Sequence, residues 1–456
     1  MDNGQPLKLH RFQYYCAVQA AIKKGLAIFA RPGLGKTIIA LKVIQIVQPK
    51  RVLVVAPIHI IENTWPDEIK KWNDFSGLTY TILRKEHKPD LSALIHAINP
   101  ESLQHIAPGA YDMIITDESS LFKNPRSKRF RLLARIARRA KYRIVLTGTP
   151  KPKSYLGIFT QIYLADLGET LGHKYTRFRS QYFNTISQRY GTDRVFSTYE
   201  LKKGADRLIQ KRIAPRAISL DTKGLIEMPE LNMRDILVSM DKEQQDNYDM
   251  MEKELWLSIK GHKVFSLGAG SAYWKCHQLA NGAVYSDDTL KANRPFIVLH
   301  DHKINALRAL VDEMRGAPLL VGYQYEHDRA RILQAFPNAE AFSKENLSRW
   351  NASQIPIMLL QYQSGAYGLN LQYGGRDIAL FSLTDNWANY DQLICRIYRQ
   401  GASSNVFVHR IITKGTVDQV IAQRLDRKQS GNAGLIEALN AYKWIKKETS
   451  KTFRKG

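Results

Sequence analysis

The sequence predicts an α/β protein of two lobes, each a doubly wound parallel sheet, with helical insertions between them. Three observations predict it. Short apolar runs alternate with helical stretches, which is the pattern of strand–helix–strand units. That alternation runs from Gly25 to Thr147, loosens, and starts again near His300. A chain of 456 residues is also too long for one ordinary core.

Taken in order, residues 7–24 read as an aromatic-rich helix that leads into a strand at Gly25–Phe29. Between that strand and the helical spacing of Ile38 to Val47 stands Ala30-Arg31-Pro32-Gly33-Leu34-Gly35-Lys36-Thr37. Strand, glycine-rich loop and helix form the setting of a phosphate-binding loop. Gly33 and Gly35 let successive N–H groups turn inward around an anion, and the helix N-terminus adds partial positive charge. Lys36 then reaches the β- and γ-phosphates of ATP, and the Thr37 hydroxyl ligates Mg²⁺. Ala30 occupies the usual first glycine position. By itself the motif also fits an ordinary strand-to-helix turn.

The next strands are Val52–Ala56, Met113–Thr116 and Ile144–Thr147. In doubly wound sheets ligands gather at the carboxyl ends of strands. Those ends hold Pro57, Asp117-Glu118 and Thr147-Gly148-Thr149-Pro150. An acid so placed near a phosphate loop holds Mg²⁺, which is the role expected of Asp117. Glu118 can orient and deprotonate an attacking water.

From Lys151 to Glu230 the pattern becomes basic and aromatic, residues 241–260 read as helix, and 261–294 reads as a mobile connection rich in Gly, Ser and Asn. The second series places strands at 318–322, 357–360, 378–381 and 406–409. The expected division is an ATP-binding lobe at 1–235 with a basic insertion at about 151–225. A helical insertion and linker at 236–298, a second lobe at 299–440 and a basic tail at 441–456 follow.

Composition narrows the function. Against 42 Asp and Glu stand 67 Lys and Arg, a net charge of +25 that points to a polyanionic partner, of which nucleic acid is the commonest. No apolar run approaches the ~18 residues that span a bilayer, and the first residues lack a signal-peptide core, so no membrane partner and a cytoplasmic location are expected. The three cysteines are scattered, with no Cys-x-x-Cys pair to suggest zinc.

Gln13, the phosphate loop, Asp-Glu-Ser-Ser at 117–120, Thr-Gly-Thr-Pro at 147–150 and the stretch Gln392 to Gly401 occur in that order. The set resembles a superfamily-two helicase-type ATPase with two RecA-like lobes, and more narrowly the Swi/Snf-type DNA translocases. Residues 52–72, 120–130, 228–248, 364–374 and 409–421 resemble segments of that family, so the likeness spans nearly the whole chain. It implies a nucleotide contacted by Gln13, Gly33, Leu34, Gly35, Lys36, Thr37, Gly368 and Gln392. It also implies catalytic arginines at Arg396 and Arg399, read as two residues three apart on one helix face, supplied to the γ-phosphate from the second lobe. Inner DNA contacts are expected at Lys123, Asn124, Thr147, Ser364 and Gly365.

Further cations form two clusters. One holds Arg126, Lys128, Arg129, Arg131, Arg135, Arg138, Arg139 and Lys141. The other holds Lys202, Lys203, Arg207, Lys211, Arg212 and Arg216. Contacts to phosphates carry no base information, so sequence-independent binding of duplex DNA by a monomeric motor is expected. A strand-separating DNA or RNA helicase and a nucleic-acid-binding scaffold with a dead ATP site remain as alternatives at this point.

Overall fold

The computed structural model describes residues 5–84, 89–148, 155–190, 194–221, 225, 228–254, 256–259, 262–265, 269–286, 295–363, 370–399 and 404–438. Two compact units emerge from its contacts, one of residues 1–227 with 430–456, the other of 228–429. Among the described residues no helix is long and apolar enough to cross a membrane.

The first unit is built on seven parallel strands: β1 (Gly25–Ala30), β2 (Val52–Val55), β3 (Tyr80–Ile82), β4 (Ile95–Ile98), β5 (Met113–Thr116), β6 (Tyr142–Thr147) and β7 (Ala217–Leu220). Their spatial order is β3-β4-β2-β5-β6-β1-β7. Side chains alternate between the two faces. Leu26, Ile28, Val52, Val54, Met113 and Ile115 pack on one side with α1 (Arg11–Lys23) and α2 (Lys36–Val47). Ala27, Phe29, Leu53, Val55 and Ile114 pack on the other with helices Lys128–Ala137 and Ile158–Asp166. Burial on both faces is why these strands read as unbroken apolar runs.

The second unit holds β8 (Leu231–Val238), β9 (Leu319–Tyr323), β10 (Ala339–Ala341), β11 (Ile357–Gln361), β12 (Asp377–Leu380) and β13 (Val406–Thr413), again all parallel, in the order β8-β13-β12-β9-β11-β10. The fold class expected from sequence is the one observed.

Four expectations change in detail. The division expected at 235 falls inside β8, which pairs along its length with β13 and joins the second sheet. Its mixture of buried and exposed positions hides it among polar residues, as befits an edge strand. The stretch taken as a basic insertion includes helix Ile158–Asp166, buried throughout and packed on β1 and β6. A Cβ on Gly25 would stand 2.1 Å from the Ala165 carbonyl oxygen, so only glycine lets helix and strand meet there.

The helix expected over 241–260 ends at Glu254, and Trp256–Ile259 then pairs antiparallel with His262–Phe265. Within the stretch expected to be a mobile connection, Ala269–Asn281 is a helix whose Cys276, Leu279 and Ala280 lie in the second core.

That helix also supplies part of a buried polar knot. The Lys303 ammonium donates to Asn281 Oδ1 at 2.7 Å and the Phe381 carbonyl at 3.2 Å, and pairs with Asp418 Oδ2 at 2.5 Å. Asp418 also accepts from the Thr413 amide, and its other oxygen lies 3.5 Å from His277 Nε2. Across the ring, His277 Nδ1 is 2.8 Å from the Tyr325 hydroxyl. Burial pushes the His277 pKa down to about 4 against the attraction of Asp418, and burial does the same to His300 with help from His302 and Arg331.

Candidate nucleotide site

β1 ends at Ala30, and the loop that follows turns through Gly33 at φ 88° and Gly35 at φ 71°, left-handed values that favour glycine. Gly35 is the N-cap of α2. Among the described residues no side chain caps this helix and no acid lies in its first turn. Its first amides are therefore available to an anion, and the helix end favours negative charge. Lys36 folds back so that Nζ donates to the Ala30 carbonyl at 3.1 Å. Thr37 is buried beside it.

Gln13 meets this loop from α1. Its Nε2 donates to the Leu34 carbonyl at 3.2 Å, and its Oε1 accepts from the His10 amide at 3.0 Å. A Cβ on Gly35 would lie 2.5 Å from that Nε2. Gln13 thus holds the loop and closes the first turn of its own helix. An amide nitrogen has two hydrogens and an amide oxygen two lone pairs, so each end keeps capacity for one more bond.

The acidic pair lies two strands from the loop, since β5, β6 and β1 are successive neighbours. The Asp117 amide donates to the Val55 carbonyl at 2.9 Å, which fixes the residue at the end of β5. Its carboxylate accepts from Trp65 Nε1 at 3.1 Å and from the Glu118 amide at 2.9 Å. Burial raises the Asp117 pKa, while Lys36, Trp65 and the Glu118 amide pull against it and favour the anion.

A buried carboxylate, a hydroxyl at a helix start and a glycine cradle fit a magnesium nucleotide, because Mg²⁺ is commonly held by one or two carboxylates together with substrate phosphates. Trp65 escaped the sequence reading as a partner of Asp117. Its only signal was its place in the 52–72 segment.

Glu118 stands at φ 49°, a conformation that side chains other than glycine rarely adopt and that clusters at functional sites. The next residue, Ser119, donates to Gln161 Oε1 at 3.0 Å, and Gln161 Nε2 donates to the Gly157 carbonyl at 3.0 Å. The acidic turn is thereby tied to helix Ile158–Asp166. At the end of β6, Thr147 is buried, and a Cβ on Gly148 would touch Pro32 at 3.1 Å. Thr149 and Pro150 lie outside the described residues.

In the second unit, helix Trp387–Ile394 is capped by Asn386, whose Oδ1 accepts from the Ala388 amide, and Gln392 is buried on it. The helix stops at Ile394, and the amides of Arg396 and Ile397 bond to carbonyls three residues back. Arg396 and Arg399 therefore lie in the turn and bend beyond the helix, and the expected helical face does not relate them. A common segment relates them instead. The Leu371 amide donates to the Arg396 carbonyl at 3.2 Å, and the Arg399 guanidinium donates to Asn370 Oδ1. Arg396 is buried and Arg399 half-buried. Ser364, Gly365 and Gly368 lie outside the described residues.

Lys123 and Asn124 are exposed, and Asn124 Oδ1 accepts from the Arg126 amide at 2.9 Å. That turn opens helix Lys128–Ala137, which Ser127 caps. The helix buries Phe130, Leu133 and Ile136, and every cation of the first cluster is exposed.

Comparison with known proteins now adds a family. The model of the SNF2-related domain matches residues 12–280. The "Putative protein p41" of Acyrthosiphon pisum secondary endosymbiont phage 1 is 32% identical over 90% of this chain and 94% of its own length. The DNA repair and recombination protein RDH54 of Saccharomyces cerevisiae (strain JAY291) is 25% identical over 84% of this chain, which spans 46% of that protein. The SWI2/SNF2 ATPase core of Sulfolobus solfataricus, solved in complex with dsDNA, is 20% identical with a TM-score of 0.44, covering 100% of this chain and 98% of that one.

Proposed function

Because this chain belongs to the SNF2-related family of helicase-type ATPases, we propose that it hydrolyses ATP to ADP and phosphate when stimulated by duplex DNA, and moves along that duplex. The observation that supports this most is the placement of Asp117 and Glu118 two strands from the Lys36 loop, close enough for the lysine charge to stabilise the Asp117 anion.

In this reading the amides following Gly33 and Gly35 bind the β-phosphate, and Lys36 exchanges the Ala30 carbonyl for β- and γ-phosphate oxygens. Thr37 and Asp117 hold Mg²⁺, which when bound neutralises charge on the phosphates. Glu118 accepts a proton from the attacking water as the bond from γ-phosphorus to the bridging oxygen breaks, and ADP leaves with that oxygen. Arg396 and Arg399 supply fixed positive charge to the γ-phosphoryl group. Their delivery from a different unit makes hydrolysis depend on a conformational step. Gln13 reads the adenine edge with the capacity its amide retains. Lys123 and Asn124, both exposed, are the residues assigned to the phosphate track of the duplex, with Ser364 and Gly365 assigned to it by the family likeness alone; Thr147 is buried and makes no such contact here. The RDH54 protein is named for DNA repair and recombination; a motor acting on DNA in such a process fits its relative here.

The test is the ATPase rate with duplex DNA, single-stranded DNA and RNA, together with displacement of a triplex strand. Duplex should stimulate most and the third strand should be displaced. Strongest stimulation by RNA would replace this reading with an RNA helicase. A wild-type rate no higher than that of Lys36→Ala would leave only a binding scaffold.

A further inference from the structure

The amino edge of the first sheet, opposite the phosphate loop, is lined with cations. Lys24 precedes β1, Lys50 and Arg51 precede β2, Lys141 precedes β6 and Arg216 precedes β7. These strands span β2-β5-β6-β1-β7, about 19 Å at ~4.8 Å per neighbour. Six residues of β1 separate this edge from the loop by about 20 Å. Two acids stand along this edge, and one of them matches the charge of Arg216. Asp112 accepts from the amides of Lys50 and Arg51, and Glu169 pairs with Arg216 at 2.6 Å.

The edge opens there into a cavity of about 430 Å³ lined by His173, Lys174, Arg177 and Arg212 together with the carboxylate of Glu169, with Thr170 and Gln181 as polar neighbours. The loop that shapes it is fixed from beneath: the buried Asp166 carboxylate accepts from the amides of Gly168 and Thr170. Helix C-termini favour a nearby cation, and that accounts for Lys23, whose ammonium donates to the Pro215 carbonyl at 2.6 Å. It does not account for the cavity. Lys174, Arg177 and Arg212 come from two helices and the turn before one of them, are exposed, and among the described residues join no ion pair.

We propose that this cavity and the cationic edge around it form a second face that grips the phosphate backbone of DNA, at the end of the sheet away from the nucleotide. The proposal rests on the reading of the chain as a DNA-stimulated ATPase, and deepens it by joining Lys174 and Arg177 on one face to Lys141, Arg212 and Arg216, cations the sequence already groups as phosphate contacts. Several cations converging on one concave surface suit a chain of phosphates, and contacts of this kind read no base sequence.

The test uses the full chain with Lys174→Ala/Arg177→Ala and a 30-base-pair duplex of random sequence, following anisotropy across a salt series. The variant should bind several-fold more weakly, and its plot of log affinity against log salt should be shallower by about one for each cation removed. Arg177→Lys should keep the wild-type slope, and hydrolysis without DNA should be unchanged, which shows that the unit is folded. Wild-type slope and affinity in the double variant would overturn the assignment. So would pyrophosphate binding lost in the variant while duplex affinity stays constant, which would make the cavity a small-anion site. Failure of the ATPase reading is separate, since it would show as wild-type hydrolysis that duplex does not stimulate.

Discussion

Asp117 in the first unit and Asp418 in the second each have a lysine nearby, and the two lysines are used in opposite ways. Lys303 lies against Asp418 at 2.5 Å, with Asn281 and the Phe381 carbonyl taking its remaining hydrogens. Lys36 bonds instead to the Ala30 carbonyl and acts on Asp117 through its charge alone. In the first arrangement all three ammonium hydrogens have partners without any ligand. The second holds an anion and a cation near one another, unjoined, where phosphate and metal can come between them. A buried pair closed on itself supports a core; one held open supports chemistry.

The contrast is sharpened most by the groups assigned to hydrolysis. Arg399→Ala should lose about 10³–10⁵ in DNA-stimulated turnover while keeping DNA affinity, in the range of such arginines elsewhere. Glu118→Gln should keep nucleotide binding and lose about 10²–10⁴ in turnover. Steady-state rates beside binding of a fluorescent ATP analogue would show it, and normal hydrolysis in either variant would remove that residue's role.

Next comes the closed pair. Lys303→Met strands a buried Asp418 and should destabilise the second unit by about 3–5 kcal/mol, whereas Lys303→Met/Asp418→Leu should recover most of the loss. Denaturant unfolding followed by tryptophan fluorescence would read this, and a double variant no better than the single would show that the pair is not the source.

Acid should reach the same knot. His277 and His300 are held neutral down to about 4, whereas the unfolded chain takes up those protons near 6.5. Below pH 6.5 the unfolded state therefore binds more protons, and stability falls as pH drops from 6.5 toward 4. At ~1.4 kcal/mol per pH unit that is about 3 kcal/mol per imidazole. Unfolding midpoints across that window should decline, and less steeply in His277→Gln/His300→Gln. Equal slopes would place the acid sensitivity elsewhere.

The smallest effect belongs to Trp65→Phe. It removes one donor to the Asp117 carboxylate, and a bond to a charged group is worth about 1.5–3 kcal/mol. A loss of roughly ten-fold or more in kcat/KM for Mg-ATP, with an unchanged melting temperature, would separate positioning from packing. An unchanged kcat/KM would show that Trp65 only fills space.

The same contrast explains what could be read in advance. The phosphate loop and the Asp117-Glu118 turn are contiguous, and local chemistry demands their residue types, so they stood out. Strands buried on both faces stood out as apolar runs. The knot did not, because His277, Asn281, Lys303, Phe381 and Asp418 meet only after the chain has folded. Its helix reads in the sequence as part of a connection because Gly, Ser and Asn surround it. β8 was missed because an edge strand exposing Arg234 and Asp235 has no apolar run. The arginine stretch is legible by its order among motifs, yet its helix ends at Ile394, and nothing in the residues that follow announces the turn.

Gln13 bears on one more property. The phosphate loop takes part of its footing from a side chain that precedes the first strand, by way of the Leu34 carbonyl. A bound nucleotide should therefore guard the opening helix from proteases, and a cut there would cost the protein its nucleotide although every residue of the loop survived.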